Sequence, residues 1–373
     1  MKKKIILCGA TGSIGKSALE LVRKNPEKFA IVGATAHRNF AELKKIAAEF
    51  EIKNLLDTKK IAENFPKKFG EFLKKCDAEI AINAVSGFSG LKFSLEILRQ
   101  KIPLALANKE SIVAAGKFLQ KMAAENSVPI LPVDSEHSAI FQILADENFQ
   151  LKKFQKIILT CSGGPFFGKN FSEIKNAKIS AALAHPNWKM GAKISIDSAT
   201  LANKCLEFFE AMQLFSARKN QIEIVIHRES IVHSAVEFGD GSIFAQLSPP
   251  SMQSPIAFAL NFPRRKNCNL PRLDFSKKFN LSFFPPDKKN FPLLEIADFC
   301  AEKMENFPII FNAANEILVE NFLAEKINFG KIPEILRKII FTEKLEKINS
   351  LEKIFEIDKK IREKTRDEIA KNF

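Results

Sequence analysis

The chain contains no tyrosine and only one tryptophan, Trp188, although phenylalanine occurs 35 times. No phenol can therefore serve as a catalytic acid. Cysteine is sparse and dispersed: the six residues stand at 8, 76, 161, 205, 268 and 300, never closer than 32 positions. That excludes CxxC-type zinc or redox pairs and gives no disulfide framework, so the thiols read as reduced groups in or near a core. Long apolar runs are missing too, and nothing suggests a membrane span. The opening Lys2-Lys3-Lys4 and Ile5-Ile6-Leu7-Cys8 imitate a signal peptide, but the apolar run stops at Gly9. A secretory core needs roughly 7 to 15 such residues. The segment reads as a first β-strand, and a cytoplasmic location is expected.

What is present is globular. Hydrophobic residues make up 46% and charged residues 27% of 373 positions, a length that suits two or three domains with separate cores. The net charge is +14, yet the lysines are scattered and form no basic arm. A lysine-rich solvated surface that draws in anionic substrates is favoured over a nucleic-acid footprint.

The pattern of elements changes along the chain. Strands at 4–9 and 29–36, a helix at 41–50, and strands at 78–85, 103–107 and 128–133 alternate as in a parallel, doubly wound sheet. From about residue 151 strands at 156–160, 222–226, 230–238 and 242–247 follow, with Gly239-Asp240-Gly241 as a hairpin signal, so an α+β region is expected. Residues 263–292 carry five prolines and read as a linker or extended crossing segment. Helices at 293–303, 313–325, 332–341 and 351–373 then make a small bundle.

Gly9-Ala10-Thr11-Gly12-Ser13-Ile14-Gly15 lies between the first strand and the first helix, where a pyrophosphate can rest on exposed backbone N–H groups and the helix dipole. The first domain is therefore expected to be Rossmann-like. An NAD site would place an acid at the end of the second strand; here stand His37, Arg38 and Asn39, and Arg38 suits a 2′-phosphate, which favours NADPH.

A metal constellation is also legible. Asp134, Ser135 and Glu136 lie where a strand gives way to a helix at 139–144, and an extended backbone would turn both carboxylates to one face. Paired carboxylates suit Mg²⁺ or Mn²⁺. A helix read over 196–207 puts Asn203 and Glu207 at i and i+4 with Lys204 about 100° round the turn, so its end offers phosphate donors and a third carboxylate together. Ser162, in Cys161-Ser162-Gly163-Gly164-Pro165-Phe166, can hold phosphate. His185-Pro186-Asn187-Trp188-Lys189-Met190-Gly191 reads as a lid rather than core, because Pro and Gly bracket the indole.

These segments, in this order, resemble the 1-deoxy-D-xylulose 5-phosphate reductoisomerase family over essentially the whole chain. The motifs that carry the resemblance are residues 9–15, Asn108-Lys109-Glu110-Ser111, 133–137, 162–166, 185–191, 193–207 and Asn312-Ala313-Ala314-Asn315-Glu316. The resemblance implies that Thr11, Gly12, Ser13, Ile14, His37, Arg38, Asn39, Asn108, Glu110 and Gly191 contact NADPH. Asp134, Glu136 and Glu207 would hold Mg²⁺, Mn²⁺ or Co²⁺. Ser162, Ser195, Asn203 and Lys204 would bind the phosphate of a sugar substrate, Lys109, Ser135, Glu136, His185 and Glu207 would touch its carbon skeleton, and Trp188 would close over it. A homodimer is implied, without nucleic acid or membrane partners. The implied domains are 1–132 for NADPH, 133–262 for metal and substrate, 263–292 as linker and 293–373 as helical bundle. The sequence departs from the family pattern at Cys205 for glycine, at His37-Arg38 for Gly-Lys, at Ile226-His227-Arg228-Glu229-Ser230 for His-Pro-Gln-Ser, and at Pro250-Ser251-Met252-Gln253 for Pro-Asp-Met-Arg. Another NADPH-dependent oxidoreductase of a phosphorylated sugar or semialdehyde is the alternative; it would not need three carboxylates on a metal.

Overall fold

The computed structural model describes residues 1–145, 151–188 and 190–372. Lys189 of the expected lid and Phe373 of the expected last helix lie outside the described residues. The chain forms two compact units, each assembled from separate stretches.

The first unit comprises Met1–Ser111, Lys117–Lys153 and Ser251–Phe275. Its centre is a six-stranded parallel sheet of β1 (Lys3–Cys8), β2 (Phe29–Ala36), β3 (Asn54–Asp57), β4 (Ile80–Asn83), β5 (Leu104–Leu106) and β6 (Ile130–Pro132). The spatial order is β3-β2-β1-β4-β5-β6. Helices cover both faces of such a sheet, so its strands read as apolar runs without alternation: Ile5 to Cys8 and Ile80 to Ile82 are all buried. The order reverses between β1 and β4, the place where doubly wound sheets open a crevice at the strand ends.

Several elements here were not expected from the sequence, the helices Lys109–Glu125 and Gln253–Asn261 among them. Strand β3 has four residues, too few to show a period. The helix Phe65–Cys76 buries Phe65, Phe69, Phe72, Leu73 and Cys76 as one stripe, with Pro66 in its first turn. The helix Gly90–Arg99 lies between β4 and β5. A later helix, Gln253–Asn261, packs on the helices Ser13–Lys24 and Ser135–Leu144 and on β5 and β6.

The second unit comprises Ile112–Gly116, Phe154–Pro250 and Ser276–Phe373. Its sheet runs β10-β9-β7-β8, formed by β7 (Lys156–Cys161), β8 (Ile222–Ile226), β9 (Val232–Glu237) and β10 (Ile243–Leu247). β7 pairs β8 in parallel, and the other pairs are antiparallel. The helices Leu293–Lys303, Phe307–Leu323, Lys331–Thr342 and Leu351–Asn372 pack among themselves. The second begins at Phe307 rather than Ala313, because Pro308 sits in its first turn, where its missing N–H has no partner to lose. That helix is buried almost all round, which erased the periodicity that would have marked its start.

Candidate active site

In the first unit the chain turns out of β1 through the glycine segment. Gly9 has φ +80°, and a Cβ there would lie 2.7 Å from the Ala84 carbonyl oxygen at the end of β4. A Cβ on Gly15 would lie 2.4 Å from the Gly9 carbonyl oxygen. Both positions thus require glycine. The helix Ser13–Lys24 starts at Gly12, whose missing side chain leaves the first-turn N–H groups uncapped, and no acidic residue stands in that turn. Gly12 and Ser13 are exposed and Thr11 and Ile14 half-buried around this anion-ready end.

At the end of β2, His37, Arg38 and Asn39 are all exposed. The His37 Nδ1 is 3.2 Å from the Thr58 hydroxyl. Asn39 caps the helix Phe40–Glu49, its Oδ1 accepting from the Glu42 N–H at 3.1 Å and its Nδ2 donating to the Glu42 carboxylate at 2.6 Å. Arg38 makes no side-chain hydrogen bond or ion pair among the described residues. Asn108 is buried: it caps the helix Lys109–Glu125 by accepting from Ser111 N at 3.0 Å, and donates to the carbonyls of Val85 and Gly87 and to Glu110. It pins the start of that helix to the loop after β4.

Asp134 and Glu136 do not sit in extended backbone as expected. Asp134 is the N-cap of the helix Ser135–Leu144, and Glu136 lies in its first turn. The helix begins four residues earlier than the apolar pattern indicated, since Ser and Glu suit a first turn. Asp134 leaves the cap unmade and pairs instead with Lys109, Nζ to Oδ2 2.7 Å, with both side chains largely buried. The Ser135 hydroxyl donates to the Glu136 carboxylate.

In the second unit β7 ends in a turn at Ser162, Gly163 and Gly164, the last two with φ of +77° and +67°. A Cβ on Gly164 would meet the Ser198 carbonyl oxygen at 2.5 Å. The Gly164 N–H donates to the Ser162 hydroxyl at 3.2 Å, and the His185 Nε2 lies 2.9 Å from the same oxygen. The His185 Nδ1 accepts the backbone N–H groups of Asn187 and Trp188 at 3.2 and 3.0 Å. A nitrogen that accepts two N–H bonds carries no proton, so the ring is neutral with its proton on Nε2, aimed at Ser162. Burial, helped by the nearby Arg228 cation, pushes the imidazole down to about 4. Trp188 is half-buried, edge-on to His233 with centroids 6.3 Å apart.

The segment read as one helix over 196–207 is two. Ala192–Thr200 is followed by Leu201 in the left-handed region at φ +63°, and a new helix runs Ala202–Leu214. Asn203, Lys204 and Glu207 therefore stand at the beginning of a helix, not at an end. Their mutual contacts survive this correction: Asn203 Nδ2 and Lys204 Nζ both donate to the Glu207 carboxylate, and Lys204 also donates to the Thr160 carbonyl at 2.6 Å. Lys204 and Glu207 are almost wholly buried. Ser195, on the first helix, donates to the Gly191 carbonyl at 3.1 Å.

Models of three parts of one family match the chain: 1-deoxy-D-xylulose 5-phosphate reductoisomerase over residues 5–116, its C-terminal domain over 130–215, and a DXP reductoisomerase C-terminal domain over 247–364. The 1-deoxy-D-xylulose 5-phosphate reductoisomerase of Treponema denticola is 41% identical over 367 residues, which are 97% of this chain and 96% of that protein. That of Clostridium tetani is 42% identical over 383 residues, 98% and 99% of the two chains. The chain belongs to the 1-deoxy-D-xylulose 5-phosphate reductoisomerase family. A crystal structure of DOX-P reductoisomerase with NADPH, fosmidomycin and magnesium is similar at a TM-score of 0.91 and 34% identity, covering 99% of this chain and 98% of that one. The Zymomonas mobilis reductoisomerase with NADPH has a TM-score of 0.86 and 35% identity over 99% of each chain.

The residues present fit both NADPH and a divalent cation. At Gly9 and Gly15 a Cβ would strike the chain's own backbone, so the turn before the uncapped helix end stays bare as a pyrophosphate requires, and Asp134, Glu136 and Glu207 offer only oxygen donors, the set that hard divalent cations take. Sequence reasoning missed two sets of residues in the second unit. Asp197 is buried between Lys193 (2.9 Å) and the Asn315 amide (2.7 Å), and Arg228 bonds to the turn at 162–164. Lys193 and Asp197 are one helical turn apart, but Asn315 and the turn that Arg228 engages are distant in the chain, so no local pattern announces those contacts; only the departure from the family pattern at 226–230 drew attention to Arg228.

Proposed function

We propose that the protein catalyses the NADPH-dependent rearrangement and reduction of 1-deoxy-D-xylulose 5-phosphate to 2-C-methyl-D-erythritol 4-phosphate, in the non-mevalonate isoprenoid pathway. The observation that carries this reading is the first turn of the helix Ala202–Leu214, where an ammonium, an amide and a carboxylate converge in a buried cluster. Such a turn can present donors to a phosphate and one anionic ligand to a cation from the same rigid element.

When bound, NADPH supplies the hydride, and the divalent cation polarises the ketone and neighbouring hydroxyl oxygens for the carbon–carbon rearrangement. Asp134, Glu136 and Glu207 are the ligands we assign to the cation. Asp134 pairs with Lys109 and Glu207 with Lys204, so each of these buried carboxylates stands against an ammonium group. Ser162, Ser195, Asn203 and Lys204 would grip the phosphate, and the neutral His185 ring would orient the Ser162 hydroxyl, whose oxygen already accepts from Gly164. Lys109 and Ser135 would face the carbon skeleton, with Trp188 closing over it. On the cofactor side Thr11 to Ile14 take the pyrophosphate and Arg38 the 2′-phosphate, flanked by His37 and Asn39; Asn108, Glu110 and Gly191 complete this set. We assign NADPH binding to 1–132, metal and substrate to 133–262, the linker to 263–292 and the bundle to 293–373.

No helix among the described residues is long and apolar enough to cross a membrane. All six cysteines are free thiols, which supports a cytoplasmic site of action. A homodimer is supported by β10, an edge strand on which Ile243 and Phe244 are 57% and 58% exposed.

The deciding experiment follows NADPH absorbance with 1-deoxy-D-xylulose 5-phosphate, with and without Mg²⁺ or Mn²⁺. Oxidation that requires the cation is expected. Turnover insensitive to a chelator would transfer the protein to metal-free reductases, and no turnover would overturn the assignment.

A further inference from the structure

Residues 227–230 form a short connection between β8 and β9 whose flanks are fixed. The buried His227 ring donates from Nδ1 to the Ser282 carbonyl at 2.9 Å and accepts at Nε2 from the N–H groups of Ile231 and Val232 at 3.1 Å each. Glu229 accepts from the Ser282 N–H at 3.2 Å and from its hydroxyl at 2.6 Å. Arg228 stands between these anchors. Its Nη1 donates to two backbone carbonyls of one turn, Ser162 at 2.5 Å and Gly164 at 2.9 Å, and its guanidinium lies over the Phe167 ring at 5.0 Å. Its own carbonyl accepts from the Asn187 amide at 2.6 Å, and the same amide donates to the Ser230 hydroxyl at 2.8 Å. One residue thus holds two loops, the turn that carries Ser162 and the loop that carries His185.

We propose that Arg228 is a positioning residue for the phosphate end of the substrate: its side chain pins the Ser162–Gly164 turn and its backbone pins residues 185–188, so that the Ser162 hydroxyl and the His185 ring meet in one fixed arrangement. The proposal rests on the phosphate-binding role assigned to Ser162 above. Both glycines of the turn have positive φ, a conformation reached by few residues and easily lost from a free loop. A cation at this place also opposes a second positive charge on His185, which agrees with the direction in which that ring is shifted. Arg228 acts through Ser162 and His185 rather than on the substrate itself.

The test uses the full-length enzyme with Arg228→Met, which keeps the stem over Phe167 and removes every donor, and Arg228→Lys, which keeps the charge without the planar fork. Two readouts are taken: steady-state constants for 1-deoxy-D-xylulose 5-phosphate and for NADPH, and the NMR titration of the His185 ring, assigned by its loss in His185→Gln. The expected result for Arg228→Met is a substrate KM raised by about tenfold, the effect of losing one well-made charged hydrogen bond, with the NADPH KM unchanged within about twofold. The His185 titration should move up towards ordinary histidine, and Arg228→Lys should recover part of both effects. A substrate KM and a His185 titration like those of the wild type would overturn the proposal, as would substrate and NADPH KM values that rise together. If Arg228→Met fails to fold, Arg228→Lys is decided on the same criteria. If the wild type does not turn over this substrate, the functional reading fails, while the His185 titration, read without substrate, still decides whether Arg228 governs that ring.

Discussion

The amide of Asn315, on a helix of the C-terminal bundle, donates to the carboxylate of Asp197 across 2.7 Å, and neither residue is more than 1% exposed. The other oxygen of Asp197 is paired with Lys193 at 2.9 Å. Asp197 lies two residues after Ser195 on the helix Ala192–Thr200, so the bundle fixes the helix that presents Ser195. Replacing the amide by an apolar side chain would leave a buried carboxylate short of a donor. Asn315→Leu should therefore lower unfolding free energy by about 1–3 kcal/mol in urea titrations. An unchanged midpoint would mean that Asp197 does not depend on that bond.

The assigned metal ligands give a second expectation. Glu136→Gln and Glu207→Gln each remove a charged donor and should reduce turnover by several orders of magnitude. NADPH affinity, measured by fluorescence titration, should stay as it is, because the glycine cradle and Arg38 are untouched. Near-normal turnover in either variant would remove that residue from the cation site.

For the cofactor, Arg38 decides. The exposed guanidinium has no side-chain partner among the described residues, so its removal costs the fold little. Arg38→Ala should weaken NADPH by about tenfold or more through loss of a charged bidentate contact, with little change for NADH. Equal losses for the two nucleotides would take the 2′-phosphate away from this residue.

The His185 ring sets a pH dependence with a definite sign. Its folded value of about 4 lies below the ordinary 6.5, so the unfolded chain binds the proton more readily than the folded one. The stability tied to the neutral ring is complete above pH 6.5 and is lost as the pH falls from there towards 4. The stability difference between wild type and His185→Gln should accordingly shrink between pH 7 and pH 5. A difference independent of pH would contradict the neutral, Nε2-protonated ring.

What was legible in the sequence follows from distance along the chain. The glycine turn between β1 and the helix Ser13–Lys24 is a contiguous pattern, and the Asn203–Glu207 contact is one helical turn long, so both were readable. Leu201 was not: a leucine at positive φ gives no compositional signal, and it split a helix that propensity would have continued. Asp134 and Glu136 were placed in extended backbone because the strand before them is apolar, whereas helix formation from Ser135 prevailed. The contact between Asn315 and Asp197, 118 positions apart, and the grip of Arg228 on Ser162, 66 positions away, are products of tertiary structure alone.

The first unit is completed by residues that come late. Helix Gln253–Asn261 covers the helices Ser13–Lys24 and Ser135–Leu144, and beyond it the Asn25 amide donates to the Cys268 carbonyl at 3.0 Å. A ribosome delivers those residues only after it has made all the strands of the second sheet. At about 5–20 residues per second, the nascent first unit waits several seconds with an apolar helical face uncovered. Vectorial synthesis therefore cannot finish this unit first. A fragment ended at the last strand of the parallel sheet would carry that exposure permanently.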